Sequence, residues 1–191
     1  MSSLPTKLPS AQSSSGFHHV AYACRDLVAT TEFYEALGFP LVHTEVSGVQ
    51  DHFLRHVFFD TGDGSCIAFF DVHGVGESDD WRSDISTGNG LPVWVNHVAF
   101  RATSERQEEV RTRMTAAGHA PLMELDHGWC NSLYYQDPNG IMVEFCRDTP
   151  GFTPDPVAAH QLITSVPAPA PVQPAASSTA SPTASSTASS N

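Results

Sequence analysis

The sequence predicts an α+β fold in which two βαβββ modules pair into an open, curved mixed sheet with helices outside, flanked by disordered N- and C-terminal tails. Three observations predict it. Phe17-His18-His19-Val20-Ala21-Tyr22 is copied as Val95-Asn96-His97-Val98-Ala99-Phe100, which lays His19 over His97. Each copy precedes a helical stretch that a glycine ends, Gly38 in the first and Gly118 in the second. Each helix precedes three strand-like runs, the last two joined by Thr61-Gly62-Asp63-Gly64 or by Asp137-Pro138-Asn139-Gly140. One such unit has too little core to fold alone, so the two must share a surface.

The first module, about 16–72, opens with an alternating strand at about 17–23. Asp26 can cap a helix from Leu27 to Leu37, in which Leu27, Thr30, Phe33, Tyr34 and Leu37 share one face. Strands follow at about 40–46, 55–60 and 66–72. Residues 73–93 are rich in Gly, Asp and Ser, as suits a long surface connection bordering a site. The second module, about 94–149, repeats the order: a strand at 94–102, a helix from a Ser104-Glu105-Arg106-Gln107 capping box to about Ala117, and strands at 121–126, 132–136 and 141–147. Residues 1–15 and 150–191 are read as disordered, because Ser, Pro, Ala and Thr bury too little apolar area to offset chain entropy.

Charge and cysteine usage remove several classes of partner. The net charge is −12, and Lys7 is the one lysine, which argues against nucleic acid, phosphate-rich ligands and anionic membranes. Cys24, Cys66, Cys130 and Cys146 form no Cys-x-x-Cys pair. Cys24, Cys66 and Cys146 fall within the predicted strands, where a free thiol acts as a small hydrophobe. No apolar run reaches membrane-spanning length and no signal-peptide segment is evident, so a cytoplasmic protein is expected.

The chemistry lies in the repeat. His19 and His97 occupy matching strand positions, while Glu144 sits among Ile141, Met142, Val143 and Phe145, where an unpaired carboxylate is costly to bury. Two strand histidines and a strand carboxylate are the ingredients of a facial metal triad with open coordination positions. The bland alternatives are polar strand histidines with ordinary partners and an arginine paired with Glu144. His18 falls on the face opposite His19 and reads as structural. Tyr134 and Tyr135 face opposite ways, so one of them at most looks into a site. Trp81, Trp94 and Trp129 could wall an aromatic pocket, though tryptophans in a small domain are more often core. His43, His73, His119 and His160 read as solvated.

These residues resemble the vicinal oxygen chelate superfamily, which includes glyoxalases, bleomycin-resistance proteins and extradiol dioxygenases. The resemblance covers nearly all of 16–149 and rests on the two His-Val-Ala strands, on Phe33-Tyr34-Glu35-Ala36-Leu37-Gly38-Phe39, and on Asp137-Pro138-Asn139-Gly140 leading to Glu144. It implies His19, His97 and Glu144 as metal ligands. Superposing 64–69 on 140–145 puts Ala68 where glyoxalase I-like enzymes carry a fourth, carboxylate ligand. The stretch from His127 to Glu144 is similar to the extradiol ring-cleavage signature, which implies catalytic roles for Tyr134, as substrate contact, and for His127 beside the metal. Ser65 departs from that family, whose members carry a catalytic histidine there; His52 or His56 would have to substitute in space.

The resemblance therefore implies a metal-dependent extradiol-type dioxygenase acting on a catecholic or similar chelating small molecule. Fe(II) is the first expectation for the metal, with Mn(II) or Zn(II) as alternatives, and dioxygen is the second substrate. The competing expectations are a glyoxalase-type isomerase or lyase, a thiol transferase for fosfomycin (weakened by the scarcity of cations), and a non-enzymatic small-molecule or antibiotic binding protein. An intramolecular site is expected because both halves of the triad stand in one chain, and a homodimer is implied by the resemblance alone.

Overall fold

The computed structural model describes residues 16–166, so the expectations for 1–15 and 167–191 lie outside the described residues. The chain divides into a first compact unit ending at Thr153 and a second beginning at Pro154.

The first unit carries the duplicated βαβββ order. β1 (His19–Cys24), α1 (Leu27–Leu37), β2 (Leu41–Val49), β3 (His52–Asp60) and β4 (Cys66–His73) form one module. β5 (His97–Arg101), α2 (Ser104–Ala116), β6 (Met123–Asp126), β7 (Cys130–Gln136) and β8 (Met142–Asp148) form the other. Each module builds its own four-stranded mixed sheet, in the order β1-β4-β3-β2 and β5-β8-β7-β6. In both sheets the first strand pairs in parallel with the last, and the remaining pairings are antiparallel. Ala21 pairs with Ala68 as Ala99 pairs with Glu144, so Ala68 and Glu144 are equivalent positions of the repeat.

The helices form because their apolar residues recur at helical spacing and their ends are satisfied. Asp26 accepts the Ala29 N–H at 2.9 Å and caps α1, and Gly38 closes it in the left-handed region. The cap of α2 is Thr103 rather than Ser104: its hydroxyl accepts from the Arg106 N–H at 3.2 Å, and Ser104 is already helical. Buried Phe33, Tyr34 and Leu37 of α1 join Val110 and Met114 of α2 and the inward strand residues Phe59, Phe69, Leu133, Val143 and Phe145 in one core. Each such side chain contributes about 1.5–3 kcal/mol on burial. Phe39 bridges the modules, with its ring 4.8 Å from Phe100 and 5.9 Å from Phe145.

Several sequence expectations need correction. β2 and β3 run on to a register pair Val49–His52, well past the expected breaks, because the hairpin keeps pairing until its turn. β7 begins at Cys130, not at 132, because the β6–β7 turn is tight: the His127 N–H donates to the Cys130 carbonyl at 2.9 Å. A helix, α3 (Pro156–Leu162), forms within the stretch read as tail. Asp155 caps it, accepting from Val157 and Ala158 N–H, and Pro156 supplies a preset φ at its start. The tryptophans are not core: Trp94 and Trp129 are exposed, and Trp81 is half-buried under the Arg25 guanidinium, 4.1 Å away.

Candidate metal centre

Alternation along three neighbouring strands builds the site on one face of the second sheet. The register places Ala99 beside Glu144 and Glu144 beside Tyr134, so His97, Glu144, Ser132 and Tyr134 share this face. Glu144 is 5% exposed, yet both carboxylate oxygens have partners. Oε2 lies 3.0 Å from Nε2 of His97, and Oε1 accepts a short hydrogen bond from the Ser132 hydroxyl. The arginine partner considered as the bland reading is absent from these contacts.

His97 is oriented as a metal ligand is. Its Nδ1–H donates to the Trp94 carbonyl at 2.9 Å, which turns Nε2 toward Glu144. A histidine whose outer nitrogen is held by a backbone carbonyl has its tautomer and ring plane preset for coordination. His97 and Glu144 therefore fit a divalent ion by donor type and by orientation.

Tyr134 and His127 flank that pair. The Tyr134 hydroxyl and Nε2 of His127 are 2.9 Å apart, and the Tyr134 and His97 rings meet edge-on at 6.5 Å. Burial, with the Glu144 charge adding to it, pushes the Tyr134 phenol up to about 12, so it stays protonated at neutral pH. His127 stands exposed in the β6–β7 turn, next to Trp129. Tyr135 points the other way, into the core, as alternation requires.

His19 stands apart. Its Nδ1 lies 2.8 Å from Nδ1 of His18, and its ring meets His56 at 5.8 Å and Phe58 at 5.3 Å. Among the described residues, the group of three metal-type donors whose atoms lie within 4.8 Å of one another is His127, Cys130 and Glu144. The structure thus does not bring His19 to His97 and Glu144, contrary to the expectation of a site closed within one chain. β1 and β5 are edge strands of separate sheets and border a cleft of about 320 Å³ lined by Val20, Tyr22, Val98 and Phe100. His18 contacts His19 instead of facing away, because β1 starts at His19 and alternation does not extend to His18.

Of the two substitutes considered for the histidine missing at Ser65, His52 is tied to the Gly74 carbonyl at 2.7 Å. His56 is the one beside His19, with a buried Nε2 that has no partner among the described residues. Sequence reasoning missed Cys130. It is fully buried, two residues before Ser132 and four before Tyr134, and that even spacing was the available signal. Cys146 joins it on the same face, its thiol pushed up to about 12 by burial and by the neighbouring Cys130. All four cysteines are free.

Comparison with known families matches this duplicated βαβββ fold. Residues 16–145 match the Glyoxalase/Bleomycin resistance protein/Dioxygenase superfamily, and the chain belongs to that family. The chain is 37% identical over 76 residues to the Bacillus subtilis (strain 168) protein "Putative ring-cleaving dioxygenase MhqE", a match covering 39% of this chain and 24% of that one. It thus spans about a quarter of that relative's length. Among solved structures, a glyoxylase/bleomycin resistance protein/dioxygenase domain from Frankia sp. EAN1pec superposes with a TM-score of 0.53 at 20% identity, over 73% of this chain and 96% of that one. A glyoxalase/dioxygenase from Nostoc punctiforme gives 0.51 at 21%, over 77% and 99%. The fosfomycin resistance protein FosX from Listeria monocytogenes gives 0.51 at 23%, over 72% and 97%. At these identities the likeness shows the fold.

Proposed function

We propose that this chain is a metal-dependent extradiol-type dioxygenase that acts on a catecholic or similarly chelating small molecule. The observation that carries the reading is the Tyr134–His127 hydrogen bond, 2.9 Å, set directly against the His97–Glu144 pair. The partial match to a relative named for ring cleavage supports it. His97 and Glu144 are the donors that would hold a divalent ion, Fe(II) before Mn(II) or Zn(II), with His19 as the third. Such an ion would supply Lewis acidity toward a chelating substrate. The chain's own groups do the rest. Tyr134, kept protonated, would donate its hydroxyl hydrogen bond toward the substrate oxygens, and His127, with Nε2 2.9 Å from that hydroxyl oxygen, would orient it. Burial of Glu144 keeps water from competing for its oxygens.

His19 reaches the donor set from a second copy of the chain. It is exposed at the start of edge strand β1, and β2, the far edge of the same sheet, is exposed along its whole length and open to a homodimer partner. Four unpaired cysteines suit the reducing cytoplasm.

The test is metal analysis of anaerobically purified protein with His97→Ala and Glu144→Ala, followed by oxygen uptake with a panel of catechols. Near-stoichiometric iron lost in both variants, and oxygen consumed in step with catechol, is the expected result. Mixing inactive His19→Ala with inactive Glu144→Ala should restore part of the activity if sites form between copies. Turnover indifferent to oxygen would overturn the dioxygenase reading in favour of a glyoxalase-type isomerase or lyase. Ser65, which cannot act as an imidazole does, is the observation that favours this second reading.

A further inference from the structure

We infer that His127, Cys130 and Glu144 form a second metal-holding set, complete within one chain and selective for a thiophilic divalent ion such as Zn(II), Cd(II) or Co(II). One ligand atom from each residue lies within 4.8 Å of the others. Zinc–sulfur and zinc–nitrogen bonds of about 2.3 and 2.0–2.1 Å put tetrahedral donors about 3.5 Å apart, so the group closes on an ion by shifts of about 1 Å. The residue best able to supply that shift is His127. It is exposed in a hairpin turn and held on this side by its contact with the Tyr134 hydroxyl.

The surroundings of Cys130 are not those of a thiol used as a small hydrophobe. Its sulfur lies 3.6 Å from the Ser132 hydroxyl, which in turn donates to Glu144 Oε1. A buried thiol on a polar sheet face, one hydroxyl away from a carboxylate, is a soft donor placed beside a hard one. A mixed nitrogen, sulfur and oxygen set favours zinc-like ions over Mg(II) or Mn(II), which take oxygen-rich sites.

Glu144 belongs to both this set and the pair with His97. An ion held by Cys130 therefore takes the carboxylate from His97, and by drawing in His127 it also removes the partner of Tyr134. The inference does not depend on the dioxygenase reading, because no donor in it is His97 or His19. It does predict that a thiophilic ion competes with whatever ion His97 holds.

Anaerobic titration of the metal-free full-length chain with Co(II) tests it, since a cobalt–thiolate bond has its own near-ultraviolet charge-transfer absorption. The band should appear in the wild type, persist in His97→Ala, and vanish in Cys130→Ser, a near-isosteric change. Zn(II) should abolish it by displacing the cobalt. His127→Ala, altered at an exposed position, should lose the band or require more cobalt to reach it. A wild type without the band overturns the inference. So does a band that survives Cys130→Ser, or one that depends on Cys146 instead. Failure of the dioxygenase reading would show elsewhere, in iron content and oxygen uptake.

Discussion

At the residue scale, backbone and side chain act together around Asp137-Pro138-Asn139-Gly140. Gly140 has a φ of +79°, and a Cβ there would sit 2.6 Å from Cβ of Asp84 in the connection between the modules. Gly140→Ala should therefore destabilise the protein by about 2–4 kcal/mol, combining the left-handed penalty with overpacking, as a urea midpoint shift would show. A variant as stable as the wild type would mean that the connection does not pack on this turn. The residues that carry the proposed chemistry were legible to different degrees. His97, Glu144 and Tyr134 share one face because strand alternation places them there, whereas His127, in the β6–β7 turn, was implied by the resemblance alone. Cys130 was overlooked because the strand was expected to start at 132, although its even spacing from Tyr134 held the information.

At the element scale, most secondary structure followed from periodicity and stop signals. α1 spans the expected Leu27–Leu37 because Asp26 and Gly38 bound it tightly. Boundaries moved where pairing partners, not the strand's own residues, set the end, as in the β2–β3 hairpin. The contact between helices was not legible at all. Arg106 donates to the Leu37 carbonyl at 2.9 Å, and Arg113 donates to Ala36 and Glu35 carbonyls at 2.9 and 2.8 Å. Two cations from α2 thus satisfy the C-terminal carbonyls of α1, where the helix dipole also favours positive charge. Arg113→Ala should cost about 1 kcal/mol by thermal or chemical denaturation. Arg113→Lys should recover only part of it, because an ammonium cannot reproduce the two-carbonyl fork. Full recovery by lysine would reduce the contact to simple charge.

At the scale of the whole molecule, a buried polar network ties the modules. Asp137 of the second module accepts from the Tyr34 hydroxyl of the first at 3.2 Å, and its other oxygen accepts from Asn139 and Ile141 N–H at 2.9 and 2.8 Å. Asn139 reaches back to Thr30 Oγ1 and to the Arg25 N–H, each at 3.1 Å. Burial raises the Asp137 carboxyl above its ordinary 3.8, outweighing the hydrogen bonds that favour its ionised form. The folded state then holds the Asp137 proton more tightly than the unfolded state does. Its contribution to stability is therefore greatest at low pH and declines as pH rises through the raised value. Asp137→Asn turns an amide N–H₂ toward groups that themselves donate, and should cost about 1–3 kcal/mol. The gap between variant and wild type should be wider near pH 4 than at pH 7. A gap that widens with rising pH would reverse the sign of the argument.

The sequence by itself determined the duplicated βαβββ order and the faces of the strands, because each depends on spacing along one chain segment or on a repeat of it, and it named His97 and Glu144 as candidate donors. Only the tertiary structure decided that the two sheets stay separate within a chain, that His19 lies beside His56 and not beside Glu144, and that Cys130 and His127 close on the same carboxylate. Those outcomes depend on how two independently legible modules pack against each other and how a hairpin turns. The packing of the modules is set by contacts between residues far apart in the chain, which no local pattern encodes, and the turn by the His127–Cys130 backbone hydrogen bond.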